Sequence, residues 1–275
     1  MGKFDGMLIC TDLDGTLLEK NKSISEENHN AIEYFKSEGG IFTFITGRMP
    51  CISKDTYNAI NPNGPFGCIN GGGIYDHRQM KYLWNTHMPD SVLDVIDYLL
   101  SYMPKLGVQV NTFDEIIFAN DSEVMKWFRV VTGCPDLFMH HRDIKEPIAK
   151  VVFGVEKQEE IDEIEKLLKA HPIAKDYYFV NSEKNLCEIL PQGVCKGTVI
   201  PRLADILGID MKKTVAVGDY YNDVSMIKAA GVGVAVANAV DEAKAAADYI
   251  TVSNEESAIA HIIYDIENGN IKFKS

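Results

Sequence analysis

The chain has 275 residues, 46% of them hydrophobic, and a formal charge of −13, which is enough apolar material for one large or two modest domains with a sizeable core. That charge disfavours nucleic acid and anionic membranes as partners, because binding there depends on Lys and Arg neutralising phosphates; a small ligand is expected, and no obligate protein partner is evident. No run approaches the roughly 20 apolar residues that span a bilayer, and the start lacks both the apolar block of a secretory signal and, with Gly6, the Ser or Thr of a myristoylation signal, so the expected location is cytoplasmic.

The elements alternate at both ends of the chain. An apolar run over 6–11 reads as a buried strand, 25–37 as a helix with Ser25 as a weak cap, and 41–45 as a second strand. Towards the C-terminus, 213–217 reads as a strand, 223–230 as a helix, 232–236 as a strand and 239–247 as an alanine-rich helix. Strand-helix alternation implies a parallel sheet covered by helices. The middle differs, with helical patterns at 91–103 and 158–170 and a hairpin pairing 107–112 with 115–119 around Asp114. A further turn over 181–185 precedes a strand at 186–190. The predicted fold is therefore α/β, a Rossmann-like parallel-sheet core formed by 1–85 and 191–275 with an inserted α+β domain over 86–190. The six cysteines, Cys10, Cys51, Cys68, Cys134, Cys187 and Cys195, show no zinc spacing and read as reduced, mostly buried thiols.

The first strand ends in Asp12-Leu13-Asp14-Gly15-Thr16. In open α/β sheets, ligands bind just beyond the carboxyl ends of the strands. Two carboxylates on one tight turn repel unless a proton or a cation separates them, which points to a hard divalent metal, magnesium being the natural one. Taken alone, the segment is equally a polar turn closing a strand. The second strand ends in Thr46-Gly47-Arg48, whose hydroxyl and amides suit phosphate oxygens, although Thr-Gly is also common in plain turns. The strand at 213–217 ends in Gly218-Asp219, followed by Asn222-Asp223. Asp219 is placed to share a metal with Asp12, whereas Asp223 either binds the metal, orients its surroundings or caps the next helix. Lys196 precedes a helix, an unfavourable place for a cation relative to the helix dipole, so another anion should hold it there. Pro201 would cost about 3 kcal/mol inside that helix, so the helix should begin near Val199 and leave Lys196 on the preceding loop.

In this order, Asp12-Leu13-Asp14-Gly15-Thr16, Thr46-Gly47-Arg48, Lys196, and Gly218-Asp219 with Asn222-Asp223 resemble the four signature motifs of the haloacid dehalogenase superfamily. The insertion resembles its type-2 α/β cap, and Asn70-Gly71-Gly72 and Asn238-Ala239 resemble features of its Cof-type branch. The resemblance implies a phosphatase: Asp12 as the nucleophile that becomes an aspartyl phosphate, Asp14 as acid and base, and Thr46, Gly47 and Lys196 around the phosphoryl oxygens. It implies Mg2+ held by Asp12, the Asp14 backbone carbonyl and Asp219, with Asn222 and Asp223 in support. An aspartate at position 14 suits an alkoxide leaving group, which needs a proton, and not a halide, which does not.

The expected partner is then a small phosphorylated metabolite, a sugar phosphate or phosphorylated cofactor. A phosphomutase uses the same aspartyl phosphate and remains open, as does a phosphosugar-binding regulator without turnover. The cap should decide specificity. Within it, His140-His141-Arg142 with Lys145 could meet the leaving group, although a solvated surface is the plainer reading of such a charged run, and Asn70, in the core, is a further candidate substrate contact. Phe113, Tyr177 and Tyr178 are expected in the core.

Overall fold

A computed structural model describes residues 2–273. The chain separates into two compact units, one comprising Met1–Gly47, Lys54–Trp84 and Cys195–Ser275, the other Arg48–Ser53 and Asn85–Val194. The segment 48–53 thus groups with the inserted region, and the division falls between Gly47 and Arg48.

In chain order, the N-terminal part contains β1 (Leu8–Thr11), α1 (Glu26–Ser37), β2 (Ile41–Phe44), α2 (Lys54–Ile60), β3 (Phe66–Cys68), β4 (Gly73–Asp76) and β5 (Lys81–Asn85). The middle contains α3 (Val92–Tyr102), β6 (Gly107–Asn111), β7 (Ile116–Asn120), α4 (Glu123–Thr132), β8 (Lys150–Gly154), α5 (Glu159–Ala170), β9 (Tyr177–Glu183) and β10 (Leu186–Pro191). The C-terminal part contains α6 (Val199–Leu207), β11 (Thr214–Gly218), α7 (Val224–Ala229), β12 (Val232–Ala235), α8 (Asp241–Ala246), β13 (Tyr249–Ile250) and α9 (Ala258–Glu267).

The first unit is built on a parallel sheet of order β13-β12-β11-β1-β2. Its inner strands are buried along their whole length, which is why they read as unbroken apolar runs. From β1 the chain proceeds outward to β2, then crosses to the other side of β1 to form β11. That reversal makes the carboxyl ends of β1, β2 and β11 a topological switch point, the place where open α/β sheets bind ligands. Ser25 caps α1, its hydroxyl accepting the Asn28 amide at 3.1 Å. A separate three-stranded sheet, β3-β4-β5, has no counterpart in the sequence reading; β3 has only three residues, too few to show a period.

The second unit is an antiparallel sheet of order β7-β6-β8-β10-β9. One face packs against α3 and α5. The hairpin turn sits where Asp114 marks it, with the Thr112 amide donating to Glu115 O at 3.0 Å. The turn read over 181–185 is shorter than expected, because β9 runs through to Glu183 and Asn181 pairs with Cys187 in the ladder. Tyr177 is buried and bonded to Ser91, Phe113 is half-buried, and Tyr178, on an outer strand of the sheet, remains 38% exposed. Cys10, Cys68, Cys134 and Cys187 are buried thiols, whereas Cys51 is exposed and Cys195 half-buried. Among the described residues, no helix is long and apolar enough to cross a membrane.

Candidate active site

Asp12 is the first residue beyond β1, and its amide still follows the parallel ladder, donating to Val217 O on β11 at 2.8 Å. Its side chain enters a nearly closed space and the residue is 6% exposed. Lys196 is more deeply buried, at 2%. Its ammonium donates to Asp12 Oδ1 at 2.6 Å and to Asp223 Oδ1 at 2.5 Å. These are the anions that hold a lysine at the unfavourable start of a helix. Lys196 occupies a single 3-10 turn ahead of α6, and Pro201 falls at the third helical position, where the amide would lack an intrahelical partner anyway.

Asp223 does two things at once. Its Oδ1 accepts from Lys196, while Oδ2 accepts the amides of Asp219 and Tyr220, each at 3.0 Å. Capping the turn and pairing the lysine are therefore compatible. Asp219 Oδ1 accepts the Thr16 hydroxyl at 2.8 Å, which ties the turn after β1 to the turn after β11. Gly15 makes that approach possible: its φ is +85°, and a Cβ there would lie 2.5 Å from Asp219 Oδ2.

Three carboxylates, from Asp12, Asp219 and Asp223, lie with oxygens within 4.8 Å of one another, and two of them, Asp12 and Asp223, share the Lys196 ammonium. Burial, reinforced by the charge of Asp223, pushes the Asp12 carboxyl well above the usual carboxylate range despite Lys196. Burial and Asp223 likewise lift Asp219 to about 7. Burial disfavours the charged form of Lys196, but Asp12 and Asp223 outweigh it and hold the ammonium above the ordinary lysine range. The cluster thus gathers more carboxyls than cations in a poorly solvated place, which favours protonation until a cation is bound, and its hard oxygen donors fit a hard divalent cation.

Asp14 is less enclosed, its side chain 31% exposed, and its Oδ1 accepts Lys22 Nζ at 2.7 Å. Thr46 is buried at the end of β2; its amide donates to Gly67 O at 3.0 Å and its carbonyl accepts the Asn70 amide at 3.1 Å. That amide is therefore engaged within the protein. Gly47 lies so close to Asn70 that a Cβ would meet Asn70 Nδ2 at 2.9 Å. Asn70 Oδ1 accepts Asn222 Nδ2 at 3.1 Å, joining two of the sequence-selected residues directly. Asp12, Asp14, Thr46, Gly47, Asn70, Lys196, Asp219, Asn222 and Asp223 all belong to the first unit. Arg142 belongs to the second, where its guanidinium pairs with Asp97 (Nε to Oδ2, 2.9 Å) and Asp94 (Nη2 to Oδ1, 2.6 Å) on α3. His141 beside it is buried against Asp97, and burial holds its imidazole below the ordinary pKa.

Several contributors escaped the sequence reading. Lys22 sits in the polar run Glu19-Lys20-Asn21-Lys22, and only a turn with φ +68° aims it at Asp14. Ser225 Oγ accepts the amide of Gly197, next to Lys196, at 3.0 Å. Ile69, Asn70 and Gly71 run consecutively through positive φ, of +57°, +50° and +103°. A β-branched residue there is strained, and such strain concentrates at functional sites.

The sheet order, its switch point and the motifs at the strand ends define a haloacid dehalogenase-like hydrolase, and the chain belongs to that family: the family model matches residues 9–263. Within the family it is a phosphatase of the Cof-type branch. A 5-amino-6-(5-phospho-D-ribitylamino)uracil phosphatase of Bacillus subtilis, YwtE, is 30% identical over 288 residues, covering 95% of this chain and 98% of its own. A solved haloacid dehalogenase-like hydrolase from Bacteroides thetaiotaomicron superposes with a TM-score of 0.81 at 28% identity, over 94% of this chain and 99% of its own. A subclass IIB sugar phosphatase, BT4131, shares the fold with a TM-score of 0.83 at 20% identity, over 96% of this chain and 100% of its own.

Proposed function

We propose that the protein is a magnesium-dependent hydrolase of small phosphomonoesters, sugar phosphates or phosphorylated cofactors, working through an aspartyl phosphate on Asp12. The second unit is read as the cap that selects the leaving group. The observation that carries this reading is the buried bridge from Asp12 through Lys196 to Asp223, with Asp219 beside it at one sheet edge.

Lys196 holds one oxygen of Asp12 and so fixes the carboxylate for attack on phosphorus. Asp14, nearer solvent and steadied by Lys22, protonates the leaving oxygen and then takes a proton from the attacking water. Thr46, Gly47 and Lys196 hold the phosphoryl oxygens, so catalysis is chiefly positioning and charge stabilisation. Asp12, Asp219 and the Asp14 carbonyl would hold the magnesium, since Asp223 already commits both its oxygens to Lys196 and two amides. When bound, the cation supplies charge stabilisation for the phosphoryl group and offsets the excess of carboxylates. Asn222 and Asp223 keep the loop after β11 in place. Similarity to a phosphatase named for a phosphoribityl substrate supports the sugar- or polyol-phosphate class.

The test is phosphate release from a panel of phosphorylated sugars, polyols, nucleotides and cofactors with magnesium or EDTA, for the wild type and Asp12→Asn. Release that requires magnesium and is lost in Asp12→Asn is expected. Isomerisation exceeding release would replace the hydrolase by a mutase, and binding without turnover would replace the enzyme by a regulator.

A further inference from the structure

The turn after β12 is bonded to both of the turns that carry the carboxylates. Its Val240 amide donates to Asp219 O at 2.9 Å. Its Asn238 side chain reaches the turn after β1, where Nδ2 donates to Gly15 O at 2.8 Å. Asn238 Oδ1 accepts the Asn254 amide at 3.0 Å, and Asn254 Nδ2 donates to Leu18 O at 2.8 Å. Two asparagines therefore hold two carbonyls of the segment that follows Asp14, and Glu255 adds a third hold by accepting the Lys20 amide at 2.8 Å. Every one of these residues belongs to the first unit. The Asn238 amide fits one way only, since turning it over sets oxygen against the Gly15 carbonyl and nitrogen against the Asn254 amide.

The segment needs such a hold because of Gly15. The approach of Asp219 requires a glycine there, and glycine is the residue with the most backbone freedom. A peptide unit is planar, so fixing the Gly15 carbonyl fixes the whole unit from Gly15 Cα to Thr16 Cα. The far end of that unit is held independently, Thr16 being buried with its hydroxyl on Asp219 Oδ1. On the other side of Asp14, the Leu13 carbonyl accepts the amides of Leu17 at 3.1 Å and Leu18 at 2.8 Å. Asp14 is thus suspended between two fixed points, one of which depends on Asn238.

We infer that Asn238 is a positioning residue for Asp14, supported in turn by Asn254, an inference that rests on reading Asp14 as the acid and base of a phosphomonoester hydrolase. Asn238 acts through the Gly15 carbonyl and not by holding the phosphoryl group. Asn238 is exposed, so water replaces its bond to Gly15 when the side chain is removed and the fold loses little. The loss falls on the placement of the Asp14 carboxyl, which must lie within hydrogen-bond reach of the leaving oxygen.

Two esters separate placement of the acid from every other effect. Butyl phosphate loses an alkoxide, which must be protonated as it leaves, whereas p-nitrophenyl phosphate loses a phenolate that departs without a proton. The ratio of kcat/KM for butyl phosphate over p-nitrophenyl phosphate is expected to fall about tenfold in Asn238→Ala, the effect of losing one hydrogen bond that orients the acid. A ratio is independent of how much of a variant preparation is folded. Asn238→Asp keeps the acceptor for Asn254 but sets an oxygen against Gly15 O, so its ratio should fall at least as far. A ratio within about twofold of the wild type in either variant overturns the positioning role. If the wild type does not cleave both esters, hydrogen exchange decides instead. The Leu17 and Leu18 amides should then exchange about tenfold faster in Asn238→Ala than in the wild type, with those of β8 unchanged, and equal exchange overturns the inference. The hydrolase reading itself fails only if the whole panel of phosphomonoesters goes uncleaved, so the two failures are distinct.

Discussion

Asp219 should destabilise the cation-free fold, and replacing it with asparagine should make that fold more stable while abolishing turnover. Burial and Asp223 raise its carboxyl from 3.8 to about 7, even though Thr16 donates a hydrogen bond to it. Between these two values Asp219 binds more proton in the native protein than in the unfolded chain, so its contribution to stability is greatest at acid pH. It falls as pH rises through the window and levels off above about 7. A shift of roughly 3 units at about 1.4 kcal/mol each corresponds to roughly 4 kcal/mol lost by pH 8. Asparagine does not ionise and retains an oxygen for the Thr16 hydroxyl, so Asp219→Asn avoids most of that loss. Urea unfolding in EDTA from pH 4 to pH 8 measures it; the variant-minus-wild-type difference cancels the groups remote from Asp219, and Asp12, which the Asp219 charge helps to raise, shifts in the same stabilising direction. The variant should match the wild type near pH 4 and exceed it by roughly 2–4 kcal/mol at pH 8. Saturating magnesium should shrink the gap, since a ligand at 100 times its Kd stabilises the native state by about 2.7 kcal/mol. A variant less stable than the wild type at pH 8 in EDTA, or a difference that does not change with pH, would refute the electrostatic account.

Two substitutions test the framing of the site. Gly71→Ala places a Cβ 2.1 Å from Cys195 O at φ +103°, pushing on the residue before Lys196; turnover should fall, and thermal unfolding should show a loss of about 1–3 kcal/mol. Pro201→Ala should change stability by less than about 1 kcal/mol, because the ring sits in the first turn of α6, and a gain near 3 kcal/mol would place it in the helix interior.

Where one strand and the turn after it carried the information, the sequence was readable. The runs ending at Asp12, Thr46 and Asp219 are buried on both faces, so they show no alternation, and a polar group at the carboxyl end marks the edge whatever else the chain does. The turn chemistry at Gly15 was readable for the same local reason. Lys22 was not, because a lysine in a polar run acquires its role only through a backbone turn that brings it to Asp14, eight residues earlier. Nor was the constraint on Gly71, whose neighbour Cys195 is more than a hundred positions away. The burial of Gln109, Asn111, Lys150 and Glu188 on β6, β8 and β10 was hidden differently: these residues look like the solvated side of half-exposed strands, and their sequence pattern is the same whether that side meets water or is buried.

At the switch point, three carboxyls lie together with a single buried ammonium, which calls for added positive charge and, with it, tolerates an incoming phosphoryl group. That deficit costs stability in the cation-free protein, because the carboxyls meet in a poorly solvated place. Magnesium should therefore recover the electrostatic part of the stability, and inorganic phosphate bound with it should raise the unfolding midpoint of Asp12→Asn further than magnesium alone does.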